Sequence, residues 1–297
     1  MSVSFAGRVA VITGAGHGLG REYALALAAR GARVVVNDLH SDGDDSDGDA
    51  AETVVREITA AQGTAVADHH AVGTADAAGG LAATALGSFG RIDILICSAA
   101  VPPQSGADVT IGVDALGALH TVEAVWPAMK SQGYGRIVTT TSPVGLFGFP
   151  AESGRNAYAS AKMAMVGLAR NLGAMGAAHG IHANAIAPWA STRRMDGMPP
   201  DERAWMARHF PPRLVAPAVL WLAHERCQVN GEVIGAAGGR VARIFIAETR
   251  GYHTAGLSVE DLLANEGAVL DTTEYFLPAS SDDELALIRA QLGIGPA

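Results

Sequence analysis

The chain has 297 residues, a formal net charge of −9 and 49% hydrophobic residues. Its length and apolar content suffice for one large α/β domain with a substantial core. The acidic balance argues against a nucleic-acid-binding protein, which would present a basic face. There is no basic-then-apolar leader, and no apolar run approaches the ~20 residues that a membrane span needs. We therefore expect a cytoplasmic protein with neither nucleic acid nor membrane as a partner.

Short β-branched runs alternate with Ala- and Leu-rich helical segments along most of the chain. Because the runs are apolar throughout rather than alternating, they indicate a parallel sheet covered on both faces. This β-α repetition predicts an α/β fold with a doubly wound, Rossmann-like parallel sheet. The predicted strands are 8–13, 32–38, 64–69, 92–99, 135–142, 182–188 and 232–238.

No linker or internal repeat divides the chain, so we expect a single domain over residues 1–240. Residues 241–297 then form a C-terminal extension that packs on the domain or on a neighbouring subunit. Two helices are predicted in this extension, because Ser-x-x-acid patterns open at "SVED" (258) and "SDDE" (281).

Two features invite a metal site, and neither supports one. The acidic stretch "SDGDDSDGDA" (41–50) lacks the spacing and distal Glu of a calcium loop, so a solvated loop is the better interpretation. His69 and His70 are adjacent, and adjacent side chains on a strand point to opposite faces. The cysteines, Cys97 and Cys227, form neither a disulfide framework nor a metal spacing. No metal is predicted, and Cys97 is expected to be a small buried apolar residue.

A glycine-rich turn follows the first strand and opens the first helix. Backbone without side chains can approach a pyrophosphate there, and the helix N-terminus directs N–H donors and partial positive charge at it. A lone glycine-rich stretch is equally often a simple tight turn, but its place in a βαβ unit favours a dinucleotide site. The predicted cofactor-binding residues of this turn are Gly14, Gly16, His17, Gly18, Leu19 and Gly20.

Asp38 ends the second strand, 18 residues beyond Gly20 and near the ~20-residue spacing expected for a ribose-binding carboxylate. A carboxylate there accepts hydrogen bonds from the adenosine hydroxyls and repels a 2′-phosphate. Asp38 therefore predicts NAD rather than NADP as the cofactor. The alternative is an Asp that simply begins a loop. Arg21 is expected on the helix surface.

The stretch "YASAK" places Tyr158 and Lys162 one helical turn apart on the same face. An ammonium beside a phenol favours the phenolate, which lets the tyrosine exchange a proton with an alcohol or a ketone near neutral pH. Such a pair alone is usually ordinary surface. The glycine turn and Ser142 at the end of the fifth predicted strand make a catalytic role the better interpretation.

The order Thr13-Gly14-x-x-x-Gly18-x-Gly20, Ser142, Tyr158-x-x-x-Lys162 resembles the short-chain dehydrogenase/reductase family. Stretches such as "AKMAMVGLAR", "NAIAP" and "GEVIGAAGGRVARIF" resemble, more narrowly, the (3R)-hydroxyacyl-CoA dehydrogenase unit of peroxisomal multifunctional enzymes and its bacterial relatives. The resemblance implies an NAD-dependent oxidoreductase acting on a small molecule, a 3-hydroxyacyl-CoA or a sterol-derived thioester. The competing interpretation is a non-catalytic paralogue that keeps the fold and at most the cofactor.

The resemblance also assigns further roles. Ser142 would hold the substrate oxygen, Lys162 would also contact the nicotinamide ribose, and helices 112–131 and 156–178 would form a homodimer interface, with a homotetramer possible. The remaining cofactor contacts that it implies are His70, Ser98, Ala99, Tyr158, Lys162 and Pro188. After Pro188 the family places a substrate lid, which here holds Trp189, Arg193, Arg194 and Met195. The two arginines either attract CoA phosphates or are plain surface.

Four departures from the family pattern bear on activity. Cys97-Ser98-Ala99-Ala100 replaces Asn-Asn-Ala-Gly, which narrows the approach to the cofactor. Asp114 stands where the family often has a catalytic Asn, or a His in the resembling subgroup. A carboxylate there can still hold a water molecule, but its charge would stabilise the Lys162 ammonium and oppose phenolate formation. His70 replaces an adenine-contacting Asp. The segment between Ser142 and Tyr158 is three residues longer than usual, in "FPAESGRN".

Overall fold

The sheet contains every strand that the sequence predicts. The computed structural model describes residues 3–39, 49–102, 105–149, 155–195 and 197–294, so most of the acidic stretch 41–50 and of the insertion at 149–156 lies outside the described residues. The strands are β1 Val9–Thr13, β2 Arg33–Asn37, β3 Thr64–Asp68, β4 Ile94–Cys97, β5 Gly135–Thr140, β6 Ile181–Trp189, β7 Val233–Ala237, β8 Arg240–Ile244, β9 Glu248–Thr249 and β10 Tyr275–Phe276.

Twelve α-helices connect or follow these strands within the described residues. They are α1 Gly18–Ala28, α2 Ala50–Ala60, α3 Ala75–Phe89, α4 Ala107–Ile111, α5 Gly117–Gln132, α6 Pro143–Phe147, α7 Asn156–Gly176, α8 Pro200–His209, α9 Ala216–Ala223, α10 Val259–Ala264, α11 Glu266–Leu270 and α12 Ser281–Leu292. No helix in the described part of the chain has the length and apolarity needed to cross a membrane.

Strands β1 to β8 form one sheet in the order β3-β2-β1-β4-β5-β6-β7-β8. The first seven pair in parallel. The predicted α/β fold with a doubly wound parallel sheet is confirmed. The strand order reverses next to β1, and this reversal opens a crevice at the carboxyl ends of β1 and β4, where ligands of such sheets bind.

Two apolar layers cover the sheet, as continuous apolar strands require. Ala10 and Ile12 of β1 pack in one layer with α1, α2 and α9. Val11 of β1 and Val35 of β2 pack in the other with α3, α5 and α7. Because alternate residues of one strand enter opposite layers, few polar positions are left except at the strand ends, and the site lies there.

The edge strand β8 was missed, since the prediction ended the last strand at residue 238. Gly238 and Gly239 have φ of 56° and 86°, and together they form a two-residue reversal between β7 and β8. Positive φ at both central residues is typical of a tight hairpin turn, so β8 runs antiparallel to β7. The Gly238-Gly239 pair was the sequence feature that could have predicted this hairpin and the extra strand.

The chain divides into two compact units, residues 1–243 and 244–297, three residues from the predicted boundary. In the second unit Tyr275 of β10 pairs antiparallel with Thr249 of β9. Ser258 caps α10 in a full capping box, as its pattern predicts. The cap of α12 was placed one residue late, because Ser280 rather than Ser281 accepts the hydrogen bond from the Asp283 N–H. None of the described residues of this unit is buried.

Candidate active site at the carboxyl edge of the sheet

The glycine turn between β1 and α1 is built for close backbone approach. Gly14 has φ of 64°, and a Cβ there would lie 2.6 Å from the Ala99 Cα. A Cβ on Gly20 would collide with the Gly14 carbonyl oxygen. His17 precedes α1 and provides no side-chain cap, so an anion can take the place of a cap at the first N–H groups.

Asp38 directs its carboxylate at this turn. Its Oδ2 accepts a hydrogen bond from the Gly16 N–H at 2.8 Å and lies 3.8 Å from the His17 Nδ1. Its Oδ1 accepts one from the Leu39 N–H at 2.9 Å. Arg21, the nearest helix arginine, instead forms an ion pair with Glu57. The side chain of Asp38 keeps 25% exposure, which leaves the carboxylate accessible to a ligand.

The two adjacent histidines after β3 have different partners. The His69 Nδ1 lies 3.1 Å from the Asp38 carbonyl oxygen and its Nε2 lies 3.2 Å from the Asp49 Oδ2. The His70 Nδ1 instead lies 2.9 Å from the Asp68 Oδ2. No group of three or more His, Cys, Asp or Glu side chains within the described ranges is arranged to hold a metal ion.

Asp68, at the end of β3, fixes the position of His70. Burial by itself would raise the pKa of Asp68, but hydrogen bonds from Thr84, His70 and Asn37 outweigh burial and hold the pKa below its ordinary value. The His70 ring lies against α3 where Gly80 leaves room for it. A contact between His70 and adenine stays a prediction.

The segment after β4 is braced against β1. The Thr13 Oγ1 accepts hydrogen bonds from the N–H groups of Ser98 and Ala99, both at 3.1 Å. Cys97 is buried, as expected, and burial raises the pKa of its thiol to about 12 although the positive charge of Lys162 lowers it in part. Ser98 and Ala99 therefore border the glycine turn, where their backbone can meet a cofactor.

Two threonines at the end of β5 set the position of helix α7. The Thr139 Oγ1 donates to the Met165 carbonyl oxygen at 3.0 Å, and the Thr141 Oγ1 donates to that of Lys162 at 2.6 Å. Gly145 of α6 allows this helix to approach α7, because a Cβ there would lie 3.0 Å from the Ala159 carbonyl oxygen. The sequence reasoning missed both threonines, whose side-chain partners lie 21 and 26 residues away in sequence.

Ser142, Tyr158 and Lys162 lie at the junction that these contacts create. Ser142 is nearly buried, and its Oγ accepts the Val144 N–H at 3.2 Å, which leaves the hydroxyl proton able to donate. Tyr158 is half-buried, and the Lys162 Nζ lies 5.6 Å from the centroid of its ring. Lys162 itself is only 3% exposed. The arrangement places a cation beside a phenol at a strand end.

Asp114 completes this group from a π-helical turn, Gly112–Leu116, which joins α4 to α5. A helix over 112–131 was predicted, and the chain is helical there, with π-helical rather than α-helical geometry in the first five residues. The Asp114 Oδ1 accepts the Val101 N–H at 2.8 Å, and its Oδ2 lies 3.2 Å from the Lys162 Nζ. Oδ2 is buried and forms an ion pair whose geometry is not that of a hydrogen bond. π-Helical turns of this kind are frequent at functional sites.

The chain that leaves β6 returns over the glycine turn. Pro188 lies within β6, and Trp189 at its end is 48% exposed. The Thr192 Cγ2 lies 3.6 Å from the position that a Cβ on Gly18 would occupy. Arg193 is exposed in the 3₁₀ turn that follows. Thr192 is a third residue that the sequence reasoning missed, and only its place after β6 could have indicated it.

Together these elements place the glycine turn with its uncapped helix start, the partly exposed carboxylate of Asp38 and the side chains of Ser142, Tyr158 and Lys162 at one edge of the sheet. Comparison with known proteins points the same way. The sequence model of the family described as short chain dehydrogenase matches residues 8–198. A short-chain type dehydrogenase/reductase of Mycobacterium tuberculosis is 38% identical over 89% of this chain and 94% of its own length.

Two further similarities concern enzymes with named reactions or ligands. Peroxisomal multifunctional enzyme type 2 of Drosophila melanogaster is 40% identical over 82% of this chain, which spans 41% of that enzyme. Its full-length structure superposes with a TM-score of 0.79 at 30% identity, covering 98% of this chain and 50% of that one. A 7α-hydroxysteroid dehydrogenase complexed with NADH and 7-oxo glycochenodeoxycholic acid superposes with a TM-score of 0.68 at 28% identity, covering 80% of this chain and 95% of that one.

Proposed function

The chain belongs to the short-chain dehydrogenase family, and on that premise we propose that it interconverts a secondary alcohol and a ketone with NAD as the hydride carrier. Membership makes it an oxidoreductase acting on CH–OH groups. The observation that carries the finer proposal is the Lys162 ammonium 5.6 Å from the Tyr158 ring centroid, at the same sheet edge as the glycine turn.

In the proposed reaction each side chain has one task. The Ser142 hydroxyl donates a hydrogen bond to the substrate oxygen. Tyr158 takes the alcohol proton during oxidation or returns it to the ketone oxygen during reduction. The Lys162 ammonium stabilises the phenolate that oxidation requires. A nicotinamide at this edge supplies the hydride donor or acceptor.

The residues present fit a dinucleotide. Gly14 and Gly20 leave no room for side chains, and the uncapped start of α1 can accept a phosphate. Asp38 supports NAD over NADP, because its carboxylate would repel a 2′-phosphate. The check is a fluorescence titration with NADH and NADPH. We expect NADH to bind at least about tenfold more tightly, and an Asp38→Asn variant to lose most of that preference. Equal binding of both cofactors by the wild-type chain would contradict NAD dependence.

For the substrate we propose a 3-hydroxyacyl-CoA or a sterol-derived thioester. The likeness to the dehydrogenase unit of multifunctional enzymes supports a thioester, and the hydroxysteroid dehydrogenase neighbour supports a bulky ring system. The exposed Arg193, after β6, is a cation to which CoA phosphates can bind. Arg193→Ala should therefore raise KM for a CoA ester more than for its pantetheine analogue, which lacks those phosphates.

The test of the reaction itself is an assay of NADH formation over a panel of hydroxyacyl-CoA esters of increasing chain length, including sterol side-chain thioesters. We expect turnover of at least one ester, and loss of turnover with retained NADH binding in Tyr158→Phe. If the wild-type chain binds NADH tightly and turns over no ester at any pH, the proposed thioester substrate is wrong.

We also propose a homodimer or homotetramer that associates through α5 and α7. Large apolar side chains are exposed along this region, among them Leu116 before α5, and Met163 and Met175 on α7. Light scattering after size exclusion should give a multiple of the 30.4 kDa chain mass. Met163→Glu should lower that mass, and an unchanged mass would move the interface elsewhere. The cytoplasmic location stays a prediction.

A further inference from the structure

We propose that Asp49, held in place by His69, is a second specificity-determining carboxylate at the adenosine end of the site, where it acts with Asp38 to exclude a dinucleotide that carries a 2′-phosphate. The inference rests on the proposed function, because it concerns the cofactor of that reaction. It goes further by assigning a residue at the start of α2, outside the glycine turn and the strand end, to the choice between NADH and NADPH.

His69 joins Asp49 to the strand end that carries Asp38. The His69 Nδ1 lies 3.1 Å from the Asp38 carbonyl oxygen, and its Nε2 lies 3.2 Å from the Asp49 Oδ2. One imidazole ring therefore spans the two positions. The Asp49 carboxylate is held within the width of this ring and two hydrogen bonds of the Asp38 main chain.

The start of α2 lies against the glycine turn at the Asp38 carboxylate. A Cβ on Gly16 would lie 2.6 Å from the Ala50 Cβ and 2.7 Å from the Asp38 Oδ2. Asp49 directly precedes Ala50, and its side chain keeps 17% exposure. A group much larger than a hydroxyl on the ribose carbon that faces Asp38 would therefore meet the start of α2 as well as the strand end.

Asp49 also removes the feature of α2 that would otherwise attract a phosphate. A helix N-terminus offers unpaired N–H groups and partial positive charge to an anion. The Asp49 Oδ1 accepts the Glu52 N–H at 3.1 Å, and Glu52 adds a second negative charge in the first turn. The chain's own carboxylate therefore occupies the anion-binding end of this helix.

Several hydrogen-bond donors at this end are already directed at protein oxygens. The N–H groups of Gly16 and Leu39 donate to Asp38. A carbonyl and a carboxylate only accept, so a His69 nitrogen that contacts either one must carry a proton, and both ring nitrogens lie at such an oxygen. A ribose hydroxyl finds an acceptor in Asp38, whereas a phosphate, which needs donors, finds none in these groups.

The basic side chains that the structure describes at this end each have an acidic partner. The pairs are Arg21 with Glu57, His17 with Asp38, His69 with Asp49 and His70 with Asp68. A 2′-phosphate would have to take a cation out of one of these pairs, which would leave a carboxylate beside its own negative charge. NADH requires no such exchange.

The decisive experiment compares the binding of NADH and NADPH by Asp49→Ser and by the wild type in fluorescence titrations. Ser keeps an N-cap hydroxyl for α2 and removes the carboxylate that His69 holds. We expect the Kd of NADPH to fall about fivefold, while the Kd of NADH stays within about twofold. Asp282→Asn removes an exposed carboxylate from the first turn of α12. It is the matched control for the change in net charge and should leave both Kd values unchanged.

Two variants of His69 separate positioning from a merely structural role. His69→Gln keeps a donor that can reach Asp49 in the manner of Nε2, whereas His69→Ala keeps none. His69→Ala should lower the ratio of the NADPH Kd to the NADH Kd, and His69→Gln should restore most of that ratio. If Asp49→Ser does not fold, this pair of variants decides the inference.

An unchanged Kd of NADPH in Asp49→Ser, or an equal weakening of both cofactors, would overturn the inference. Equal binding of NADH and NADPH by the wild-type chain is a different outcome, because it contradicts the proposed NAD dependence. In that case a tighter NADPH complex in Asp49→Ser than in the wild type still supports the role of Asp49, and an unchanged one still excludes it.

Discussion

Two buried carboxylates, at opposite edges of the same sheet, show how differently one fold treats a charge. Asp93 precedes β4 at the amino edge and is completely buried. Arg91 donates to both of its oxygens, at 2.7 and 2.6 Å, while Arg8 and the Val9 N–H add bonds of 3.0 and 2.9 Å. The Arg8 guanidinium also lies 3.8 Å from the centroid of the Tyr134 ring. Each oxygen of Asp93 is saturated.

Asp114 at the carboxyl edge has one backbone hydrogen bond and one ion pair, and among the residues that the structure describes its Oδ2 accepts no hydrogen bond. The pKa of Asp93 is lowered, because the hydrogen bonds and charges of Arg91, Val9 and Arg8 outweigh the effect of burial. A buried carboxylate whose two oxygens accept all the hydrogen bonds they can stabilises the fold. A buried carboxylate oxygen without hydrogen bonds costs stability, which agrees with the functional role proposed for the carboxyl edge.

The largest expected effect is on the carboxyl edge, where removing one oxygen should abolish activity and spare the fold. Tyr158→Phe should lower kcat by about a thousandfold, because general acid–base catalysis contributes 10²–10⁴. Steady-state kinetics of this variant measure the loss of activity, and urea unfolding of the same sample measures whether the fold keeps its stability. This expectation is wrong if Tyr158→Phe unfolds at a clearly lower urea concentration than the wild type, or if it keeps more than about a tenth of the wild-type activity.

The opposite pattern is expected at the amino edge. Asp93→Asn should lower the free energy of unfolding by about 3 kcal/mol, because it leaves two guanidinium groups without their shared carboxylate. The folded fraction should keep a normal KM for substrate. Glu225→Gln is the matched control, since Glu225 contacts the same Arg8 but is 58% exposed, and a screened pair of that kind contributes at most about 1 kcal/mol. Equal losses in both variants would show that saturation of Asp93 is not what stabilises this edge.

The parts of the candidate site that the sequence predicts are local. The glycine turn, Asp38 and the Tyr158–Lys162 pair each depend on residues within one βαβ unit or one helical turn, so spacing identifies them. Ser142 follows from its place at a strand end. The fold class followed equally well, because continuous apolar strands indicate which sheet can bury them.

What the sequence could not give depends on contacts between distant segments. The saturation of Asp93 joins it to Val9 across 84 residues, and no spacing rule relates those positions. The π-helical turn is invisible to periodicity, since one extra residue in a turn only shifts the apolar pattern. It decides where Asp114 points, so the sequence suggested a charge effect there but not the contact with Val101.

The smallest expected effect is the pH dependence of stability that Asp93 contributes at the amino edge. The pKa of Asp93 is lowered in the folded chain, so its stabilisation is full above the unfolded value of about 3.9 and is lost as pH falls toward the folded value. Above about pH 5 the urea stabilities of wild type and Asp93→Asn should therefore stay well apart. Below about pH 4 the free energies of unfolding of the two proteins should converge. Their slopes against pH should differ by up to about 1.4 kcal/mol per pH unit. Curves that stay parallel into acid would mean that the charge of Asp93 contributes nothing, and that its hydrogen-bonding shape alone holds the amino edge.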